Sequence, residues 1–139
     1  MSRLRNPRRL RHSAAALAPV IRRGDLYWLS ADVAGGQQGS VPGPAHPHVV
    51  VQEDVFNQSR ISTVIVCALT SNLQRATEPG NVLLAPGEGG LPLRSVVVVS
   101  QIASVAKEHL GARIGELSAE RVEQILAGLR FQQRSFFER

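Results

Sequence analysis

Polar side chains gather at three places in this chain where a strand ends or a loop opens: Gln37-Gln38-Gly39, Thr70-Ser71-Asn72 and Ser100-Gln101. Hydroxyls and carboxamides of this kind can hydrogen-bond a phosphate, a ribose hydroxyl or a base edge, and a flanking glycine permits close approach to the backbone. The same residue types are also the ordinary material of turns, so both readings stand on composition alone. His46-Pro47-His48 adds two imidazoles. They do not make a metal centre, because His12 and His109 are remote in sequence and no cysteine or carboxylate pattern completes a tetrahedral set. The glycine-rich run Gly35 to Gly39 lacks the Gly-Lys-Ser/Thr ending of a phosphate-cradling loop and precedes a strand. No Gly-x-Ser-x-Gly elbow or Cys-His pairing marks a covalent hydrolase.

The elements that must position these groups are short and β-rich. Asp25 to Leu29 reads as a first strand, His48 to Gln52 as a second and Ile61 to Leu69, rich in β-branched residues, as a third. Asn81 to Leu84 and Ser95 to Ile102 add two more, and the four valines Val96 to Val99 predict a strand covered on both faces. Between the first two strands, Asp32 to Pro47 carries four glycines and three prolines, which neither a helix nor a central strand tolerates. Loops of that length tend to be functional. Near the end, Ser118 is a helix N-cap with Glu120 in the first turn. Val122, Ile125, Leu126 and Leu129 then recur at helical spacing, with Arg121, Glu123 and Gln124 expected to face away. Short strands, one terminal helix and no βαβ alternation predict a mainly β (α+β) fold, a small antiparallel barrel or half-barrel with the helix laid against it.

With 139 residues, 43% hydrophobic, the chain suits one domain with a sizeable core. Cys67 is its only cysteine, so no internal disulfide forms, and the chain fits a reducing compartment as well as any other; the cytoplasm is the expected location. The formal charge of +5 is unevenly placed: seven of the 16 basic residues fall within the first 23, leaving nine against 11 acids and a net of −2 from Gly24 onward. Nucleic-acid binding by the body must therefore come from local placement rather than bulk charge. Residues 1–20 read as a flexible basic arm, 21–131 as the folded domain and 132–139 as a tail. The arm's apolar stretch is too short for a secretory signal, and Val64 to Leu69 falls far short of the roughly 20 residues that span a bilayer.

At Ile21-Arg22-Arg23-Gly24-Asp25-Leu26-Tyr27-Trp28 the chain resembles the opening of the MazF/PemK family of toxin mRNA interferases. The resemblance continues through Gly36-Gln37-Gln38-Gly39, Pro47-His48-Val49-Val50-Val51-Gln52-Glu53-Asp54 and Val55-Phe56-Asn57-Gln58-Ser59-Arg60. It extends through Leu69-Thr70-Ser71-Asn72-Leu73, Pro79-Gly80-Asn81-Val82, Gly87-Glu88-Gly89-Gly90-Leu91-Pro92 and Ser95 to Ile102, covering Ile21 to about Leu129. Such family members begin near Ile21, and Val20 suits a start-capable valine codon. Residues 1–19 are then expected to be absent from the natural product, which mass measurement of the natively expressed protein decides.

The resemblance implies an SH3-like barrel with a C-terminal helix and a toxin of a type II toxin–antitoxin pair. It implies a homodimer that is silenced by a cognate antitoxin and cleaves single-stranded RNA at specific sequences without a metal or other cofactor. The reaction implied is attack of a ribose 2′-hydroxyl on the adjacent phosphate. The family's strand-end threonine matches Thr70, whose hydroxyl would bond the scissile phosphate. The family's loop arginine matches His46 instead, in a longer loop, and its loop glutamate matches Gln37. A histidine, with an ordinary pKa of about 6.5, exchanges protons more readily than a guanidinium, so His46 is the expected acid or base, with His48 a poorer substitute. Gln37, Gln38, Gly39, Ser71, Asn72 and Gln101 are the expected RNA contacts. Arg94 either attracts phosphate or stays a solvated arginine, and Tyr27, Trp28 and Cys67 read as core or dimer-contact residues. Two alternatives keep the fold: an antitoxin-binding module that is catalytically weak or inactive, and a gyrase-poison relative. Chains of the latter kind end in Trp-Gly-Ile, whereas this one ends Phe136-Phe137-Glu138-Arg139.

Overall fold

The computed structural model describes residues 20–30 and 44–134. Six strands form one sheet in the order β4-β5-β3-β2-β1-β6, antiparallel at every pairing. They are β1 (Asp25–Ser30), β2 (Ala45–Val50), β3 (Thr63–Thr70), β4 (Val82–Leu83), β5 (Val96–Ala106) and β6 (Arg113–Glu116). A single helical turn, α1 (Asp54–Asn57), links β2 to β3, and the terminal helix α2 spans Ala119–Gln132. Three 3-10 turns, at Leu73–Thr77, Glu88–Gly90 and Lys107–His109, complete the described chain.

Alternation along the strands gives the sheet two apolar faces. Leu26, Val49, Cys67, Leu69 and Val97 point to one face, where Ile125 of α2, with Val122 and Leu129 against it, closes the core. Tyr27, Leu29, Val50, Val64, Val66 and Val105 gather on the other. Val96 to Val99 are all buried, as a doubly covered strand requires. The expected helix stripe therefore packs, and the Ser118 hydroxyl accepts the Arg121 amide as the expected N-cap. The architecture is a curled half-barrel with a C-terminal helix.

Several expected boundaries move. β2 begins at Ala45 rather than His48, because Ala45 to Pro47 pair with β1 and are drawn into the ladder. β4 shortens to two residues. The valine strand does not close at Ser100-Gln101 but runs on to Ala106. Cys67 and Leu69 of β3 face Ile102 and Val97, so Val98 to Gln101 form an irregularity in which Ser100 and Gln101 turn to solvent. Arg121 does not face away: its guanidinium meets Glu88 at 2.8 Å and ties α2 to the 3-10 turn. β6 was absent from the expected strands, since its four residues are half-exposed and too few for alternation to register.

Candidate active site

Two strands part at one end of the sheet, and the expected catalytic residues stand on either side of the opening. β2 pairs with β1 from Val49 to Ala45 but with β3 only between Val50 and His48. His48 faces Ala68, so continuing that register would set Pro47 opposite Leu69 and His46 opposite Thr70. The ladder stops short, while on the other edge of β3 Leu69 and Thr70 keep their pairing with Val97 and Val96 of β5.

Proline chemistry explains the opening. The amide and carbonyl of Trp28 are bound to Ala112 and Gly111, beside β6, so Trp28 and Pro47 form a non-hydrogen-bonded pair. The nitrogen of Pro47 then faces β3, and it has no proton to offer. A strand can separate there without stranding an amide donor.

The separated ends enclose a pocket of about 280 Å³. His46 and Pro47 form one wall and Leu69, Thr70 and Ser71 the other, while Trp28, Leu93 and Ser95 contribute to the rest. His46 is exposed and is the only titratable side chain among the described residues that line the pocket. Thr70 is half-buried, and its Oγ1 accepts the amide of Asn72 at 3.1 Å. With an acceptor position filled by the backbone, the hydroxyl proton is left to donate into the pocket.

His48 occupies a different environment although alternation gives it the same face of β2 as His46. Tyr27 and Ala68 flank it in the sheet, and it is 3% exposed. Its Nδ1 lies 2.9 Å from the His46 carbonyl oxygen and donates to it, so the neutral ring carries its proton on Nδ1. Burial pushes its pKa down, against the opposing pull of that hydrogen bond. It is not among the described residues that line the pocket.

The other expected contacts divide. Ser71 lines the pocket. The Asn72 side chain is instead committed to capping the 3-10 turn, its Oδ1 accepting the amide of Gln74 at 3.2 Å. Gln101 lies in the irregular part of β5, five residues beyond the partner of Thr70 and roughly 16 Å along the strand. Gln37, Gln38 and Gly39 lie outside the described residues. Among the described residues no cluster of three or more His, Cys, Asp or Glu side chains could hold a metal ion.

Sequence reasoning missed the pocket walls. Tyr27 and Cys67 are core, as expected, but Trp28 is half-buried on the pocket. Alternation with Tyr27 and Leu29 gave the available signal, since it turns Trp28 to the other face of β1 near the loop end. Nothing in the residue types of Leu93 or Ser95 marked them, because the 3-10 turn and the chain after it bring them there.

Residues 22–132 match the family model described as PemK-like, MazF-like toxin of type II toxin-antitoxin system. The chain is 41% identical over 111 residues to the endoribonuclease MazF6 of Mycobacterium tuberculosis, covering 80% of this chain and 95% of that protein. It is 31% identical over 107 residues to the endoribonuclease EndoA of Bacillus subtilis, covering 76% and 88%. Among solved structures, MazF from Deinococcus radiodurans superposes with a TM-score of 0.65 at 20% identity, covering 84% of this chain and 98% of that one. A mycobacterial endoribonuclease in complex with its cognate antitoxin gives 0.62 at 24% identity, covering 80% and 92%. At those identities the two structures bear on the fold alone.

Proposed function

The chain belongs to the PemK-like, MazF-like toxins of type II toxin–antitoxin systems, and from that premise we propose that it is an endoribonuclease whose catalytic pair is His46 and Thr70. The observation that carries the assignment is the placement of these two side chains on opposite walls of one pocket, at the position where β2 and β3 part. Single-stranded RNA is the substrate, a homodimer the working form, a cognate antitoxin the inhibitor and the cytoplasm the site of action. Among the described residues no helix is long and apolar enough to cross a membrane.

In this reading an imidazole nitrogen of His46 takes the proton of a ribose 2′-hydroxyl. The freed oxygen attacks the adjacent phosphorus, the bond to the 5′-oxygen breaks, and that oxygen leaves with a proton from solvent. The products are a 2′,3′-cyclic phosphate and a free 5′-hydroxyl. Thr70 donates its hydroxyl proton to a non-bridging oxygen as charge gathers there, and Ser71 stands beside it as a further donor. Gln37, Gln38 and Gly39, from the loop before β2, complete the proposed RNA contacts. Asn72 contributes through its backbone amide, by holding Thr70.

The test is cleavage of a long unstructured RNA in EDTA, with the ends mapped. Specific cuts bearing 5′-hydroxyls are expected, falling about 10²-fold or more in His46→Ala and in Thr70→Ala. Cuts that persist undiminished in His46→Ala move the proton transfer to another group. A complete absence of cutting favours the antitoxin-binding module without catalysis.

A further inference from the structure

A phosphodiester carries a permanent negative charge, yet the described residues that line the pocket include no permanent cation. Thr70, Ser71 and Ser95 are neutral, and no lysine or arginine is among the described lining residues. The arginines on the surrounding elements are occupied: Arg75 is held by Glu78 at 3.1 Å, and Arg113 by Asp25 and Glu116 at 3.1 and 2.9 Å.

Arg94 stands apart from these. Its two chain neighbours, Leu93 and Ser95, both line the pocket, while Arg94 itself is exposed and has no hydrogen-bonding or acidic partner among the described residues. The backbone around it is anchored. The Ser95 hydroxyl, in a residue 4% exposed, donates to the Leu93 carbonyl at 2.8 Å, and Val96 begins β5 opposite Thr70. An anchored backbone thus holds Arg94 between two lining residues, exposed and with its guanidinium uncommitted among the described residues.

Resting on the endoribonuclease reading, we propose that Arg94 is an RNA-binding residue that grips a phosphate flanking the scissile one as the strand leaves the pocket. A contact of this kind fixes the register of the strand without reading its sequence. It binds ground and transition states alike, so its loss raises KM and leaves kcat unchanged. The contact also releases a counterion, which gives it a signature that a merely structural arginine lacks.

The experiment measures the affinity of full-length protein for a 2′-O-methylated single-stranded oligoribonucleotide, which cannot be cut, across a series of salt concentrations. Wild type is compared with Arg94→Ala, Arg94→Lys and Arg60→Ala, with circular dichroism verifying the fold of each. Arg60 is the control, exposed and near the far end of β3. Arg94→Ala is expected to bind several-fold more weakly, with the slope of log K against log salt reduced in magnitude by about 0.7, one single-strand phosphate contact. Arg94→Lys keeps the slope, and Arg60→Ala matches wild type.

An Arg94→Ala slope equal to wild type overturns the inference, as does a wild type that does not bind the oligonucleotide. Cutting of ordinary RNA together with an unchanged slope removes this inference and leaves the catalytic reading intact. Salt-dependent binding that Arg94→Ala weakens, in a protein that cuts nothing, does the reverse.

Discussion

At the scale of single residues, two histidines with one residue between them have different surroundings because the β2–β3 ladder ends between them. His46 lies past the last β2–β3 pair and is exposed, whereas His48 lies inside it and is buried. The folded His48 holds its proton less readily than an ordinary imidazole, with burial the main cause. Below about pH 6.5 the unfolded chain therefore binds a proton there that the folded chain resists. Stability is complete above that pH and falls as the pH is lowered from 6.5 toward the depressed folded value. Thermal unfolding between pH 8 and 5 is expected to show that fall in wild type and a shallower one in His48→Asn, which does not titrate. Equal slopes in the two proteins would assign the dependence to other groups. The presence of imidazoles at 46 and 48 was legible in the sequence, but their difference was not, since alternation places both on one face and only the length of the β3 pairing separates them.

At the scale of elements, two unlike contacts add to the apolar stripe that packs α2 on the sheet. One is the bidentate approach of Arg121 to Glu88, whose carboxyl is held below its usual pKa chiefly by the hydrogen bond from that guanidinium. The other is backbone on backbone. A Cβ built on Gly128 would collide with the carbonyl oxygen of Gly80, and Gly80 itself has φ +83° in the turn before β4. In an isolated helix, Gly128→Ala gains up to about 1 kcal/mol of propensity. Here the clash with backbone is expected to outweigh that gain and to cost about 1–3 kcal/mol net, as overpacking does. Urea unfolding monitored by circular dichroism measures it, and a more stable variant would mean that α2 can shift outward freely. The helix, its cap and its apolar stripe were all readable from Ser118 and the spacing of Val122, Ile125 and Leu129. The glycine contact was not, because it depends on a residue 48 positions away.

At the scale of the whole molecule, a sheet with two covered faces has few points from which it can open locally. Cys67 sits at its centre, 0% exposed, its thiol pushed up to about 12 by burial. Thiolate is the reactive form, so the native protein at pH 8 is expected to react with an alkylating reagent far more slowly than a free thiol. Labelling should accelerate with urea along the same curve as the loss of circular dichroism, because reaching Cys67 requires separating the sheet from α2 or its opposite core. Rapid labelling of native protein would show that this part of the core opens independently.

By itself, the sequence determined five of the six strands and the terminal helix, through local alternation, β-branched content and capping. It also determined the resemblance that led to Thr70 and His46. Tertiary structure decided where those elements stop and what faces what: that β2 and β3 part at Pro47, that Trp28 and Leu93 wall the pocket, that Gln101 lies along β5 away from it, and that Arg94, between two lining residues, is exposed and without a partner among the described residues. Periodicity is set by neighbours a few residues away and survives in one dimension. A pocket is set by where distant strands cease to pair, which depends on register across the whole sheet.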